Sequence, residues 1–272
     1  MEGQIINSIL KGHNILILGQ AGTGKTALIR RIASGRRRCA MTATTGMAAS
    51  LLFRGQTVHR CFGLMDGRFN DEELVERITQ NLDMKKVKDN ILNTELLFID
   101  EISMMSAQTF LQIETVCRMV RQSNLPFGGM QVVLSGDLYQ LKPVPNMKYG
   151  DPGKMIIEIE QFRLLIPHHY VLTKIYRQSE RDLIEAVHFC SQGKINDNIT
   201  QLLTRLQRQL PPGPQPVKLF ALNYDVELCN AKHLMAMEGQ LKAYKANDTG
   251  DIKRLSTSPV SKTLHLKEVQ KW

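Results

Sequence analysis

Several kinds of sequence feature are missing from this chain, and each absence excludes a class of protein. Within its 272 residues, no apolar run approaches the ~18 residues that span a bilayer. The opening stretch, MEGQIINSILKGHN, lacks the basic and then apolar segments of a secretory signal, and it is not rich in Arg and Ser as transit peptides are. We therefore expect no contact with a membrane, and no targeting signal is visible.

Paired cysteines are also missing. The five cysteines are odd in number and widely spaced, and none stands in a C-x-x-C arrangement: Cys39, Cys61, Cys117, Cys190 and Cys229. This pattern argues against a disulfide framework or a zinc module and fits a reducing compartment. We expect the cysteines to act as small buried hydrophobic residues.

The composition is that of a globular protein with a basic surface. Hydrophobic residues make up 43% and charged residues 22% of the chain, as in soluble folded domains. The net charge of +9 favours polyanions as partners, nucleic acid first among them. Charge alone is weak evidence, because many ATP-binding proteins are basic too.

Short apolar segments alternate with helical patterns along the first half of the chain. Strands are predicted at Asn14–Leu18, Cys39–Ala43, Glu95–Asp100 and Gln131–Asp137, and helices at about Lys25–Ser34, Gly46–Leu52 and Ser106–Arg121. Such alternation predicts the α/β class, a parallel sheet with helices on both faces. The charged stretch of about residues 66–90 is interpreted as a surface insertion containing one helix.

A second, smaller unit is predicted after residue 178. Four prolines between positions 211 and 216 make QLPPGPQP the clearest linker. Beyond it, VKLFAL (217–222) is typical of a strand and NYDVELCNAKHLMAM (223–237) of a helix. The predicted domains are therefore residues 1–178 and residues 179–272.

The octapeptide GQAGTGKT, Gly19 to Thr26, satisfies G-x-x-x-x-G-K-[ST] between a predicted strand and a predicted helix. Glycines let backbone N–H groups close around phosphates, and the helix N-terminus adds partial positive charge. Lys25 would neutralise the β- and γ-phosphates of ATP, and Thr26 would place a hydroxyl on Mg²⁺. The predicted nucleotide loop comprises Gly19, Gln20, Ala21, Gly22, Thr23, Gly24, Lys25 and Thr26.

Carboxylates close the third predicted strand. Because ligands of open α/β sheets lie outside the carboxyl ends of the strands, Asp100 and Glu101 are expected to face the nucleotide loop. We expect Asp100 to hold Mg²⁺ and Glu101 to deprotonate the attacking water. The segment GDLYQLKPV (136–144) supplies Gln140, whose amide can donate to a γ-phosphate oxygen and accept from water.

Five segments, in this order and spacing, resemble the motif blocks of the petite-integration-frequency (PIF) family of superfamily 1 DNA helicases. The resemblance covers Gln4 to about Asp251, and its segments are GQAGTGKT, TATTGMAASLLFRGQTVHRCFG, FIDEISMMS, GDLYQLKPV and IYRQ. The resemblance implies two RecA-like domains with ATP bound between them. It implies that Gln4 recognises adenine and that Arg177 reaches the γ-phosphate as an arginine finger.

The same resemblance implies a path for DNA. Residues of the second block and the loop after the fourth strand would contact single-stranded DNA: Thr42, Thr44, Thr45, His59, Phe62 and Pro143. Threonine hydroxyls at a strand end are suitable donors to phosphate oxygens, and His59 and Phe62 could stack on bases. Packing in the core is the alternative role for Phe62.

The resemblance therefore implies an ATP-dependent 5′→3′ DNA helicase of repair, recombination and genome maintenance, in the nucleus or in the mitochondrion. Its expected partners are single-stranded, forked and tailed duplex DNA, and the expected state is a monomer or a DNA-induced dimer. The family's later motifs have no match before Trp272, so we expect a fragment with an incomplete second RecA-like domain. Two alternatives stay open: a non-catalytic remnant that binds ATP and DNA, and the helicase part of a rolling-circle transposon protein.

Overall fold

Six parallel strands form the sheet at the centre of the first of two units. The computed structural model describes residues 1–35, 38–209, 213, 216–250 and 261–268. Contacts divide the chain into units Met1–Gln207 and Arg208–Trp272. The strands of the first unit are β1 Ile15–Gly19, β2 Cys39–Ala43, β3 Gln56–Thr57, β4 Leu96–Asp100, β5 Gln131–Gly136 and β6 His168–Leu172.

Ten α-helices accompany this sheet in the described part of the first unit. They are α1 Glu2–Leu10, α2 Lys25–Ala33, α3 Gly46–Ser50, α4 Val58–Phe62, α5 Asp71–Gln80, α6 Lys85–Asn93, α7 Ala107–Val120, α8 Glu160–Leu165, α9 Arg181–Ser191 and α10 Asp197–Leu206. Local sequence sets several helix starts. Asn70 and Glu73 form a reciprocal capping box at the start of α5, and the Ser106 hydroxyl accepts from the Thr109 N–H at the start of α7.

The strand order is β3-β2-β4-β5-β1-β6, and each neighbouring pair is parallel. Successive side chains of one strand point to opposite faces of a sheet. On β4, Leu97 packs in a core cluster with residues of α5 and α7, whereas Phe98 packs in another with residues of α1 and α2. The sheet is thus covered on both faces, which confirms the predicted α/β class.

Two strongly buried residues show that the charged stretch after Asp66 is more than a surface insertion. It contains α5 and the start of α6 instead of one helix, and Leu74 and Ile78 of α5 are wholly buried in the core. Their spacing of four residues places them on one face of the helix. Charged neighbours such as Glu76 and Arg77 hide this apolar stripe in a simple count of charge.

The second unit contains one described helix and one pair of strands. Helix α11 covers Asn223–Ala236, and β7 Leu241–Lys245 pairs antiparallel with β8 Thr263–Lys267. Within this second unit, the Lys267 ammonium donates to the carbonyls of Met235 and Met237 at 3.1 and 2.8 Å. That this unit belongs to a second RecA-like domain, and that the domain boundary is residue 178, stay predictions.

One predicted strand is wrong. Residues 217–222 form no regular structure, and Val217 and Leu219 are 88% and 92% exposed. A strand is held by hydrogen bonds to a neighbouring strand, and among the described residues this segment pairs with none. Most of the predicted linker, positions 210–212 and 214–215, lies outside the described residues.

The cysteines correct a second expectation. Cys61 and Cys117 are buried, but Cys190 is exposed and Cys39 and Cys229 are half-buried. Burial raises the pKa of the Cys61 thiol to about 12. No helix within the described ranges is both long and apolar enough to span a membrane.

Candidate nucleotide site and the groove beside it

The nucleotide loop, residues 19–26, connects β1 to the first turn of α2. Gly22 and Gly24 adopt φ angles of 85° and 86°, which residues with a side chain rarely take. A Cβ on Gly22 would lie 2.6 Å from the Cβ of Arg177. Glycine is therefore needed at position 22 both for the turn and for the close approach of the IYRQ segment.

Lys25 begins α2 and folds back over this loop. Its side chain is 8% exposed, and its ammonium donates to the carbonyl oxygens of Gly19 at 2.5 Å and Gln20 at 3.1 Å. Burial lowers the pKa of Lys25, while the nearby carboxylates of Asp137, Asp100 and Glu101 act to raise it. The ammonium thus lies inside the loop, where a phosphate group would be a stronger partner than two carbonyls.

Asp100 is fixed by three donors at the end of β4. The Thr26 hydroxyl donates to its Oδ2 at 2.9 Å, the Glu101 N–H donates to its Oδ1 at 3.0 Å, and the Ser135 hydroxyl also donates to Oδ1. Asp100 is 4% exposed. The structure therefore brings together Thr26 and Asp100, the two predicted ligands of Mg²⁺.

Glu101 follows in the left-handed region, with φ 56° and ψ 46°, which costs a residue with a side chain of the order of 1–3 kcal/mol. Burial raises the pKa of its carboxyl, and the charges of Asp100 and Asp137 raise it further. A raised carboxyl pKa beside a buried lysine is typical of acid–base groups at functional sites.

The IYRQ segment lies against the nucleotide loop. The Tyr176 N–H donates to the Gly22 carbonyl at 2.8 Å. Arg177 is exposed, and its charge acts on both Lys25 and Glu101. The predicted finger residue is thus positioned beside the phosphate loop, as its proposed role requires.

Two other predicted ATP residues form no hydrogen bond with the loop within the described residues. Gln140 is exposed in the turn after β5, where its N–H donates to the Asp137 carbonyl at 3.1 Å. Gln4 is exposed on α1, whose Ile5 and Ile9 pack in the core. Their roles stay predictions that depend on the side chains turning toward a bound nucleotide.

Thr42 and Phe62 cannot contact DNA in this structure, which corrects two predicted residues. Thr42 is 0% exposed, and its hydroxyl donates to the Phe98 carbonyl at 2.7 Å within the sheet. Phe62 is also 0% exposed and belongs to the core cluster on the face of α5 and α7. Core packing, the alternative that the sequence left open for Phe62, is what the structure shows.

Of the remaining DNA candidates, His59 is exposed and Thr44 and Thr45 are half-buried, whereas Pro143 is buried; three of the four line one groove. Thr44, His59 and Pro143 are among the residues around a depression of about 250 Å³, whose wall also includes Asn146 and Tyr149. Thr45 lies next to Thr44 and accepts from the Ala48 N–H at 3.2 Å as the cap of α3. The groove therefore joins residues from distant parts of the chain that the sequence connected only through family resemblance.

Asp66 closes one side of this groove. Its backbone carbonyl accepts from the Asn146 amide at 2.9 Å, and its Oδ2 accepts from the Tyr149 hydroxyl at 3.3 Å. A two-pronged bond from Arg68 lowers the pKa of Asp66 to about 2. The carboxylate therefore stays charged at every physiological pH.

Sequence reasoning gave no role to Ser135, and it connected Asp137 only with a γ-phosphate sensor at the end of the fourth strand. Ser135 is wholly buried beneath Asp100, and Asp137 is 8% exposed and acts on the charges of both Lys25 and Glu101. The available signal was a Ser and an Asp flanking a glycine at the end of an apolar strand. Only the pairing of β4 with β5 shows that the hydroxyl reaches the carboxylate.

Fold and site together define a RecA-like P-loop domain. The model of the PIF1-like helicase family matches residues 2–189. The curated ATP-dependent DNA helicase RRM3 of Saccharomyces cerevisiae is 33% identical over 256 residues, which covers 91% of this chain and 35% of that protein. The chain belongs to the PIF1-like helicase family, and it spans about a third of the length of this relative.

Solved structures agree with this assignment. The crystal structure of the Pif1 helicase from Candida albicans matches with a TM-score of 0.88 at 30% identity, over 98% of this chain and 62% of that one. The Pif1 helicase from Bacteroides in complex with ADP-AlF3 and single-stranded DNA matches with a TM-score of 0.80 at 27% identity, over 98% of this chain and 63% of that one.

Proposed function

We propose that this chain carries the ATP-hydrolysing core of a DNA helicase that moves 5′→3′ on single-stranded DNA. One observation carries the proposal. The Thr44 hydroxyl, in the wall of the groove, donates to the backbone carbonyl of Glu101 at 2.7 Å. A residue proposed to contact DNA is therefore joined by one hydrogen bond to the main chain of the proposed catalytic base, which supports coupling of DNA binding to hydrolysis.

The residues of the nucleotide loop divide the work of ATP binding. Lys25 leaves the carbonyls of Gly19 and Gln20 and binds the β- and γ-phosphates, while the backbone N–H groups of the loop surround them. The Thr26 hydroxyl and the Asp100 carboxylate, 2.9 Å apart, fit a Mg²⁺ ion that takes its other ligands from phosphate and water. When bound, that ion would neutralise charge on the phosphate oxygens.

Hydrolysis then depends on Glu101, Arg177 and Gln140. Glu101 accepts a proton from the attacking water, a step that its raised pKa brings closer to neutral pH. Arg177 spreads positive charge over the γ-phosphate oxygens from beside Gly22. Gln140 turns inward from its exposed position to contact the γ-phosphate, and Gln4 selects adenine.

Single-stranded DNA lies along the groove. The Thr45 hydroxyl donates to a phosphate oxygen at its edge, next to Thr44, whose own hydroxyl stays on the Glu101 carbonyl. His59 contacts the bases. The carboxylate of Asp66 repels phosphate, so the DNA backbone runs along the side of the groove away from it. The Bacteroides relative, described as bound to ADP-AlF3 and single-stranded DNA, supports simultaneous binding of the two ligands.

On this basis we propose that the protein acts on tailed and forked duplexes in DNA repair, recombination and genome maintenance. Its place is the nucleus or the mitochondrion, and it works as a monomer or as a dimer assembled on DNA. These roles come from family membership, together with the basic charge of +9 that favours nucleic acid.

The test is ATP turnover by this chain with and without a single-stranded oligonucleotide, followed by strand separation of 5′-tailed and 3′-tailed duplexes. We expect DNA to raise turnover and Lys25→Ala to abolish it. The matched control is Lys86→Ala, an exposed lysine on α6, which should behave as the parent chain does. Turnover that ignores DNA, or preferential unwinding of the 3′-tailed duplex, would contradict the proposal.

A further inference from the structure

Helix α9 contacts the nucleotide loop through one histidine. His188 is half-buried, and its Nδ1 forms a hydrogen bond with the side-chain amide of Gln20, the second residue of the loop. Its other ring nitrogen, Nε2, lies 3.0 Å from the amide of Gln192, one helical turn further along. The ring is therefore held between two glutamines.

The chemistry of imidazole fixes how this arrangement works. A neutral ring has one N–H and one acceptor nitrogen, so it donates to one glutamine and accepts from the other. The two amides must consequently present opposite ends to the ring, one its NH₂ group and the other its oxygen. Only a side chain with a polar atom at the Nδ1 position can satisfy Gln20.

The backbone of Gln20 takes part in several hydrogen bonds of the nucleotide loop. Its backbone carbonyl accepts from the Lys25 ammonium at 3.1 Å, and from the hydroxyl and the N–H of Thr23 at 2.8 and 3.3 Å. Moving the Gln20 backbone would disturb the lysine that binds phosphate. The side-chain bond to His188 is a restraint on that backbone.

The hydrogen bond between Gln20 and His188 lies in the wall of a cavity. A cavity of about 580 Å³ lies between the loop, the turn after β5, the end of β6 and α9, and its walls include Gln20, Asp137, Leu172 and His188. Side chains do not fill the space between the loop and α9, so the hydrogen bond between Gln20 and His188 takes the place of apolar packing there. A second attachment, from the Tyr176 N–H to the Gly22 carbonyl at 2.8 Å, comes from the same stretch of chain.

We infer that His188 is a positioning residue for nucleotide binding: it holds Gln20, and through it the phosphate loop, in the shape that accepts a triphosphate. The inference rests on the proposed ATP binding by this chain. Tyr176 and His188 belong to the same stretch of chain and both contact the loop. A change of loop shape on nucleotide binding would therefore act on α9. Loss of the His188 bond releases one of the two attachments.

The decisive experiment compares two substitutions that carry the same amide at different places. In His188→Asn the amide lies near the former Nδ1 position, and in His188→Gln near the former Nε2 position. We expect the Kd of the full chain for a fluorescent ATP analogue to stay within about twofold for His188→Asn. It should weaken about tenfold, or about 1.4 kcal/mol, for His188→Gln and His188→Leu.

A double variant tests whether His188 acts through Gln20. The Gln20→Ala, His188→Leu double variant should bind no more weakly than the single variants, because both remove one interaction. Additive losses, or equal affinities for His188→Asn and His188→Gln, would overturn the inference. Thermal midpoints of all variants separate loss of fold from loss of the contact.

Failure of this inference differs from failure of the proposed function. If the parent chain binds the analogue, Lys25→Ala does not, and His188→Leu binds normally, only the role of His188 falls. If the parent chain itself does not bind the analogue, the proposed ATP site falls, and the positioning role falls with it.

Discussion

The Thr44 hydroxyl donates to the backbone carbonyl of Glu101 at 2.7 Å, and the Thr44 N–H donates to the Asp100 carbonyl at 3.2 Å. Thr44 follows β2, and the two acids stand at the end of β4, its neighbour in the sheet. Glu101 holds a left-handed conformation, which persists only when its surroundings fix it. Thr44 is one of those restraints, so a displacement in the groove would act directly on Glu101, the proposed catalytic base.

Removal of the Thr44 hydroxyl should slow ATP turnover with little effect on nucleotide binding. In Thr44→Val the main-chain carbonyl of Glu101 loses the hydroxyl that donates to it, and the carboxylate is less well placed for the attacking water. We expect DNA-stimulated kcat to fall about tenfold, equivalent to about 1.4 kcal/mol, with KM for ATP nearly unchanged. Steady-state kinetics at saturating oligonucleotide provide the measurement.

Thr44→Ser is the matched control, because it keeps the hydroxyl and removes only a methyl group. It should retain most of the parent activity. Equal loss in both variants would show that the methyl group matters and that the hydrogen bond to Glu101 does not.

The sequence was sufficient to predict those strands and helices whose apolar pattern stands next to a recognisable functional signal. Predicted strands such as Cys39–Ala43 coincide with observed ones, because short apolar runs next to glycine or carboxylate signals have few alternatives. β6 escaped prediction: its sequence HHYVL begins with two histidines, and its burial alternates as an edge strand's does. Helix α1 also escaped, although Ile5 and Ile9 are four residues apart.

The residues of the site also fall into those that the sequence predicts and those that only the structure reveals. The nucleotide loop follows from a motif with fixed spacing, Asp100 from its place at the end of a predicted strand and Arg177 from family resemblance, and the structure brings the three together. Thr42 and Phe62 were misassigned because a motif does not say which side of a strand or helix a residue faces. Contacts such as Ser135 with Asp100 and His188 with Gln20 join residues far apart in the chain, so only tertiary structure reveals them.

Ser135→Ala should weaken the affinity of the nucleotide site for Mg²⁺. The Ser135 hydroxyl orients Asp100 from beneath, and loss of such a partner typically costs about 10- to 100-fold in metal affinity. We expect the Mg²⁺ concentration for half-maximal binding of an ATP analogue to rise about tenfold. Binding measured without Mg²⁺ is the internal control, which Ser135→Ala should leave unchanged.

A Mg²⁺ titration of Ser135→Ala that overlies that of the parent chain would show that Thr26 and the Glu101 N–H orient Asp100 without help. Ser135→Thr keeps a hydroxyl at the same position and separates loss of the bond from a change in side-chain volume. It should fall close to the parent chain if the added methyl group is accommodated.

The pH profile of ATP turnover should reveal the environment of Glu101. Burial raises the pKa of this carboxyl above the ordinary value of 4.5. A general base works only when deprotonated, so turnover rises with pH through that raised pKa, and its acid limb should lie above pH 4.5. Initial rates at saturating ATP, measured from pH ~4 to ~8, locate the limb.

Asp137→Asn sharpens this pH test. The negative charge of Asp137 raises the pKa of Glu101, so its removal should move the acid limb toward lower pH. A limb that stays in place, or one that lies at the ordinary glutamate value in the parent chain, would argue against Glu101 as the base. Glu101→Gln should remove turnover while nucleotide binding persists.

Phe62 and His59, on the same short helix α4, should fail in opposite ways when each is replaced by alanine. Phe62 is wholly buried among the core residues, so Phe62→Ala should lower the free energy of unfolding by about 3–5 kcal/mol.

His59 is exposed in the wall of the groove, so His59→Ala should leave the free energy of unfolding nearly unchanged. This substitution should instead weaken oligonucleotide binding by about 1–3 kcal/mol, the contribution of one stacked base. Urea unfolding and fluorescence anisotropy with a labelled oligonucleotide measure the two effects, and Phe62→Leu, which keeps an apolar side chain, should be milder than Phe62→Ala. If His59→Ala bound DNA as the parent chain does, the groove would lose its main base contact and the DNA path would have to run elsewhere.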